Sequence, residues 1–361
     1  EKNCKTLVNK QYTIVIVDQD KNKNGSNKKL LRTITNVVSI GTYINSEYDT
    51  NNTVCIFIES ESNNIITAGF SYIDISTGDC SVCEMHDTID HVCDEIYRLI
   101  HTYKPVEMLL VDLDNIIDSP RIKFDLNDTH LHTTFINDDN IKIHTNLDYQ
   151  NQLLNKIYKN TDMLSPIEYI DLELYQHSVC TFIMLCNFVY NHNEKILSYI
   201  KIPTIIDKSS NMIIESNAMY QLDLIHITSK TSNKSLLDLL SNTITPMGRR
   251  TLKKNLLNPT NNIEVLTNHY NNIDNVKDNF KEIRDILSKN KFDQDKLYRK
   301  IQLKLIHPYE LCNLFDAIKT SLNIIDYISV KFTPNDKEYL CNIIKNFDDI
   351  FNNDELCKYN R

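Results

Sequence analysis

The chain has no tryptophan and only five glycines in 361 residues. Gly25, Gly41, Gly69, Gly78 and Gly248 stand too far apart to form G-x-G-x-x-G or G-x-x-x-x-G-K-[ST]. No phosphate-cradling loop is therefore legible, and nucleotide hydrolysis is not expected from these residues. A long apolar run is also lacking. The most apolar stretch, "VCTFIMLCNFVY" at 179–190, is too short to span a bilayer, contains Asn187, and reads as a buried helix. Excess positive charge is missing too: 39 Lys and Arg face 48 Asp and Glu, a net charge of −9, which argues against a dedicated nucleic-acid-binding module. No secretory signal opens the chain. Its ten cysteines are scattered, mostly at positions that read as core, which suits a reducing interior better than a disulfide framework. The expectation is a soluble, intracellular protein.

What is present is ordinary for a globular chain: 41% hydrophobic and 24% charged residues. The length suggests roughly two or three domains. With no terminal signature at Glu1 or at Tyr359-Asn360-Arg361, the chain reads as a segment of something longer. Charge is uneven. Over residues 1–32, eight Lys and Arg outnumber three acids, a face that is solvated or, as a weaker reading, contacts phosphate through Lys28, Lys29 and Arg32.

"YTIVIV" at 12–17 reads as a buried strand, and "LLRTITNVVSIGTYI" as strand with a turn at Gly41. Residues 53–60 and 65–76 read as a hairpin, Thr77-Gly78-Asp79 as a turn, and "CSVCEM" as a further strand. Residues 88–103 carry helix-spaced apolar positions, and 108–113 is again a strand. This is a mixed α/β domain ending near 150. Beyond it the pattern is helical. Ser165-Pro166-Ile167-Glu168 is a capping box whose helix is expected to run to about 191. Asn261 with Glu264 suggests another, Leu297, Ile301 and Leu305 step by four, and His307-Pro308 opens one more helix.

Two constellations invite chemistry. Cys80, Cys83, His86, His91 and Cys93 crowd into fourteen residues, but cysteines three apart on a strand point to opposite faces, so no metal site is expected. Asp74 in "YIDISTGD", with Asp112 or Asp114 from a neighbouring strand, is the carboxylate pair a metal-dependent, ribonuclease-H-like nuclease needs. The plainer reading has Asp74 facing solvent beside Tyr72 on an alternating strand. No catalytic residue is assigned, and the nuclease stands as the alternative function.

In "TITPMGRRTLKKNLLNP" (243–259), Thr245 and Pro246 read as an N-cap and first helical turn. Gly248 at the third helical position costs about 1 kcal/mol against Ala, which suggests that it permits close backbone packing. Arg249, Arg250, Lys253 and Lys254 make one stripe.

The run "SLLDLLSNTITPMGRRTLKKNLLNP" closely resembles the MutS family of DNA mismatch-repair proteins, whose pattern S-L-x-x-x-L precedes T-x-T-x-M-G-x-R-x-L-x-x-x-L-x-x-P. Ser235, Leu236, Leu240, Thr243, Thr245, Met247, Gly248, Arg250, Leu252, Leu256 and Pro259 fit it. "DQDKLYRKI" (293–301) is similar to the family's D-L-E-R-L-x-x-R-I, and "AGFSYIDISTGDCSVCE" to its G-x-x-x-x-D-x-S-T-G, met at Gly69, Asp74, Ser76, Thr77 and Gly78. Pro105 and Glu107 fit P-x-E-L-L, while "YTIVIVDQ" and "VVSIGTY" resemble V-A-I-x-E-Q and V-T-P-G-T, with Asp18 for the usual Glu and Ile40 for the usual Pro.

The resemblance implies an α/β connector of ribonuclease-H-like topology and mixed sheet, followed by an all-α core/lever domain of long helices. It implies boundaries of 1–44 for the end of a mismatch-binding domain, 45–155 for the connector and 156–361 for the first part of the helical core. The implied parent is a dimeric, mismatched-DNA-binding ATPase whose ATP and Mg site lies outside this segment, with a MutL-type partner on the connector. Thr245, Met247, Gly248 and Arg250 are then expected to be packing residues buried among helices. Arg249, Lys253 and Lys254 remain a weak DNA-facing or partner-facing patch.

Overall fold

The structure is a computed structural model describing residues 2–19, 32–44, 50–62, 64–112, 130–132, 138–159, 163–206, 211–212, 214–225, 234–289, 292–325, 334–356 and 358. The chain forms two compact units, Glu1–Ile206 and Asp207–Arg361.

The first unit opens with helix α1 (Lys2–Val8) and an antiparallel pair, β1 (Ile14–Gln19) and β2 (Arg32–Val38). Three long strands follow as an antiparallel meander: β3 (Asn52–Ser62), β4 (Ile65–Asp74) and β5 (Asp79–Thr88). Helix α2 (Ile89–Tyr103) then crosses over so that β6 (Glu107–Asp112) lies parallel to β3. Lys104 ends α2 in the left-handed region at φ 42°, its N–H returning to Ile100, and Pro105 bars continuation. With β7 (His130–His132) and β8 (Thr204–Ile205) the sheet runs β7-β6-β3-β4-β5-β8. From β5 to β7 this is the expected ribonuclease-H-like order, three-two-one-four-five, on a mixed sheet.

The central strands are buried on both faces, so they read as continuous apolar runs. Val54, Ile56, Ile58, Phe70 and Met85 meet Val92, Ile96 and Leu99 of α2. The alternate residues Cys55, Phe57, Ile73, Val82 and Leu109 meet Phe182, Leu185 and Val189 of α6 (Gln176–His192), with α3 (Asp138–Thr145) and α4 (Leu147–Ile157) on the same side. Each such side chain contributes about 1.5–3 kcal/mol of burial. Cys80 and Cys83 fall in opposite cores, as their spacing on β5 requires. All cysteines among the described residues are free thiols.

Helix α6 needs Gly69. A Cβ there would sit 2.3 Å from the carbonyl oxygen of His177, so only glycine lets the first turn of α6 lie on β4. Glu84 accepts the Ser178 N–H at 3.0 Å, and His177 pairs with Glu59 at 3.0 Å. Both carboxylates complement the helix N-terminus. Asn187, half-buried in the most apolar helix, meets His144 at 3.1 Å.

Two expectations change here. The Ser165 capping box forms, but its helix, α5 (Pro166–Tyr169), lasts one turn; Asp171 turns left-handed at φ 55° and the chain restarts as α6. Helix α6 packs on the sheet and belongs to the first compact unit, which ends at Ile206. The polar alternation read into Asp74 also fails: it is only 4% exposed.

The second unit is helical: α7 (Ser216–Gln221), α8 (Leu236–Leu240), α9 (Pro246–Leu257), α10 (Ile263–Lys277), α11 (Phe280–Ser288), α12 (Gln294–Gln302), α13 (Pro308–Ile325), α14 (Pro334–Ile350) and α15 (Asn353–Leu356). Leu297, Leu314 and Ile318 form one core with Phe315, Leu340 and Ile344. Met219, Leu224, Ile225 and Leu257 form another. The cap of α10 is Asn262 rather than Asn261, its side chain accepting from Glu264 N and Val265 N. Leu305 lies outside α12, because Lys304 turns left-handed at φ 57°. No helix among the described residues is long and apolar enough to cross a membrane.

Candidate functional site

Two polar junctions hold the motif residues. The first lies at one end of the six-stranded sheet. Asp74 closes β4, and its Oδ1 accepts the Ser76 N–H at 2.9 Å, the Ser76 hydroxyl at 2.6 Å and the Asn51 N–H at 3.3 Å. Its own carbonyl accepts the Gly78 N–H at 2.7 Å, with Gly78 at φ 79°. Thr77 Oγ1 accepts from Asp79 N at 3.3 Å. Asp74 therefore ties a tight turn to itself, the usual work of an aspartate that begins a turn.

Glu107 opens β6 behind the buried Pro105 and is itself fully buried. Its Oε2 accepts the Ser39 hydroxyl at 2.6 Å and the Gly41 N–H at 2.9 Å. The Gly41 carbonyl accepts from Asn51 Nδ2 at 3.2 Å and Thr53 Oγ1 at 3.3 Å. A Cβ on Gly41 would come within 2.4 Å of both Glu107 Oε2 and Thr53 Oγ1, so the turn must carry glycine. Asn51 also donates to the Tyr43 carbonyl at 3.1 Å, and through Asn51 the Asp74 and Glu107 networks join.

This geometry overturns the nuclease reading. Asp74 pairs with Asn52 of β3, whereas Asp112 pairs with Ile58. The two carboxylates therefore lie six residues apart along β3, about 20 Å at roughly 3.3 Å per residue. Two-metal cleavage needs both within reach of ions about 4 Å apart. Asp74 is also committed to its own turn. Among the described residues no group of three His, Cys, Asp or Glu could hold a metal ion. Asp114 lies outside the described residues.

The second junction is in the helical unit. Thr245 caps α9, accepting the Gly248 N–H at 3.2 Å, with Pro246 in the first turn. A Cβ on Gly248 would meet Thr245 Oγ1 at 3.1 Å and Thr243 side-chain carbons at 3.7 Å. Gly248 thus makes room for its own cap, not for a neighbouring helix. Thr243, Thr245, Met247, Gly248, Arg250 and Leu252 are half-buried within the unit, so the expected burial among helices is not met there. Leu257 alone on α9 is buried. Pro259 ends the motif, its carbonyl accepting the Met212 N–H at 2.7 Å.

Arg250 forms the centre. Its Nη1 meets Asp293 Oδ2 at 2.5 Å, and its Nη2 meets Asp293 Oδ1 at 2.9 Å and Asp295 Oδ2 at 2.7 Å. Burial opposes its charge, but hydrogen bonds and attraction from Asp293, then Asp295, prevail and hold the guanidinium above its ordinary pKa. Asp293 in turn caps α12. The sequence showed the Arg250 motif and the 293–301 motif separately, and the structure makes them one contact. Asp293, Asp295, Ser39 and Asn51 are partners that the sequence does not reveal, since no local pattern marks a residue whose partner lies dozens of positions away.

The weaker basic candidates scatter. Arg32 begins β2 and is exposed, pairing in register with Gln19. Arg249 and Lys254 are exposed on α9 and Lys253 is half-buried. Lys28 and Lys29 lie outside the described residues.

A mixed α/β unit with buried turn-binding carboxylates, followed by a helical unit pinned by an arginine fork, defines a connector and helical-core architecture. Residues 217–356 match the family description MutS domain III. A putative DNA mismatch repair protein, a mutS homologue, of Acanthamoeba polyphaga mimivirus is 28% identical over 365 residues, covering 91% of this chain and 32% of the relative. DNA mismatch repair protein MutS of Clostridioides difficile is 28% identical over 352 residues, covering 96% and 34%. The MutS of Caldanaerobacter subterraneus is 24% identical over 324 residues, covering 88% and 34%. Residues 217–356 thus match MutS domain III, and along most of its length the chain is similar to MutS-family DNA mismatch-repair proteins. It spans about a third of the length of these curated relatives.

Proposed function

We propose that this chain is the mechanical middle of a MutS-like mismatched-DNA-binding ATPase, passing the nucleotide state to the parts that hold DNA. In this reading residues 1–44 end the mismatch-binding domain, 45–155 are the connector and 156–361 begin the helical core and lever. ATP and Mg bind elsewhere in the polypeptide, which acts as a homodimer on double-stranded DNA with mispairs. A MutL-type partner meets the connector. Arg249, Lys253 and Lys254 serve at most as a minor phosphate-facing or partner-facing patch.

The observation that supports this most is the Arg250 fork on Asp293 and Asp295 inside the segment that matches MutS domain III. Coupling between distant sites needs an element that moves as a body, and a two-point ion pair joining α9 to the cap of α12 makes one. The test is mispaired-duplex binding by the full polypeptide, with and without ATP. Preference for mispaired over paired duplex, weakened by ATP in the parent but not in Arg250→Ala, is the expected result. A polypeptide with no such preference overturns the reading.

A further inference from the structure

We infer that Glu107 is a latch that clamps the β1–β2 hairpin onto the six-stranded sheet, so that this joint is a rigid coupling and not a loose linker. Strand β2 ends at Val38 and runs directly into the turn Ser39–Thr42, every residue of which is buried. That turn has its own brace: Ser39 N donates to Thr42 Oγ1 at 2.8 Å, and Thr42 N to the Ser39 carbonyl at 3.3 Å. Its attachment to the sheet is polar. Ser39 Oγ and Gly41 N both donate to one carboxylate oxygen of Glu107, while Asn51 and Thr53 donate to the Gly41 carbonyl from the other side.

A buried carboxylate is tolerated only when its hydrogen bonds are made. Opening the turn would leave Glu107 buried without these two donors, so the turn and the carboxylate hold each other shut. Glu107 pairs in register with Thr53, at the end where the parallel strands β3 and β6 begin. Displacement of β2 is thereby delivered to the central strands. The Asn51 N–H held by Asp74 extends the same joint to the end of β4. Gly41 is required on steric grounds, since a side chain would strike the latch itself.

The latch stands apart from the mismatch-repair reading, because its test involves no DNA. Amide hydrogen exchange of the 361-residue chain is compared for the parent, Glu107→Ala, Ser39→Ala and the double variant. Exchange of the peptides covering 14–19 and 32–44 is expected to rise at least tenfold in Glu107→Ala and several-fold in Ser39→Ala, with β3 to β5 staying protected. The double variant should be no faster than Glu107→Ala, because both remove one interaction. Unchanged exchange at 32–44, multiplicative effects, or opening of the whole sheet together overturns the latch. If Glu107→Ala does not fold, Ser39→Ala and Gly41→Ala attack it from the turn. Faster exchange confined to 14–44 in both supports it, and parent-like protection in both overturns it.

Discussion

Arg250 and Asp293, 43 positions apart, meet in a two-point ion pair that joins one family motif to the cap of the helix carrying another. The side chains are 17% and 13% exposed, so solvent screens the pair only in part. Arg250→Ala is expected to destabilise the helical unit by about 1.5–3 kcal/mol, the usual range for hydrogen bonds to charged groups. Arg250→Lys should recover little, because an ammonium cannot reproduce the fork. Urea denaturation of both variants and of Asp293→Ala, closed as a double-mutant cycle, measures this. Additive losses would sink the pairing.

Gly69→Ala tests the seat of α6. The added methyl meets the backbone of His177, which cannot swing away as a flexible side chain would. The expected cost is about 1–3 kcal/mol of overpacking. Thermal unfolding should register it, and the Ser178 amide should exchange faster as its bond to Glu84 is stretched. A variant as stable as the parent would show that the close approach is not needed.

The buried thiols between α6 and the sheet set a pH dependence. Burial, and then the charge of Glu59, push Cys180 from 9.0 up to about 12. Burial, followed by neighbouring thiols, raises Cys55 and Cys186 well above 9.0. A raised folded pKa means that the unfolded thiol ionises first. The stabilising term is fully present below pH 9 and is lost as pH climbs from 9 towards 12. Denaturation midpoints measured between pH 8 and 11 should fall, less steeply in Cys180→Ala than in the parent. Parallel slopes would count against this burial effect.

Asp74→Ala should cost about 1–3 kcal/mol, since the Ser76 and Asn51 donors lose a buried acceptor. Asp112→Asn should cost less, and the two changes should add, as expected for sites roughly 20 Å apart. Chemical denaturation of the single and double variants decides it. Strong coupling between them would restore a shared site.

Much of the fold was legible because its signals are local. Apolar runs marked β3, β4 and β6, the cysteine spacing on β5 implied opposite faces, and Ser165 with Glu168 announced a helix start. Extent was harder to read. The α5 helix stops where Asp171 turns left-handed, and Lys304 stops α12 in the same way; neither residue is glycine, so neither announces the break. Asp74 misled because alternation assumes one wet face, whereas at the end of β4 the chain folds back over its own carboxylate.

Periodicities, caps and motifs are written in the sequence, since these depend on neighbours within one turn of helix or one pleat of strand. Partnership was decided only by the tertiary structure. That Gly69 yields to α6, that Glu107 holds Ser39, and that Arg250 grips Asp293 depend on chain segments brought together by burial, and no local pattern encodes which distant donor will meet which acceptor.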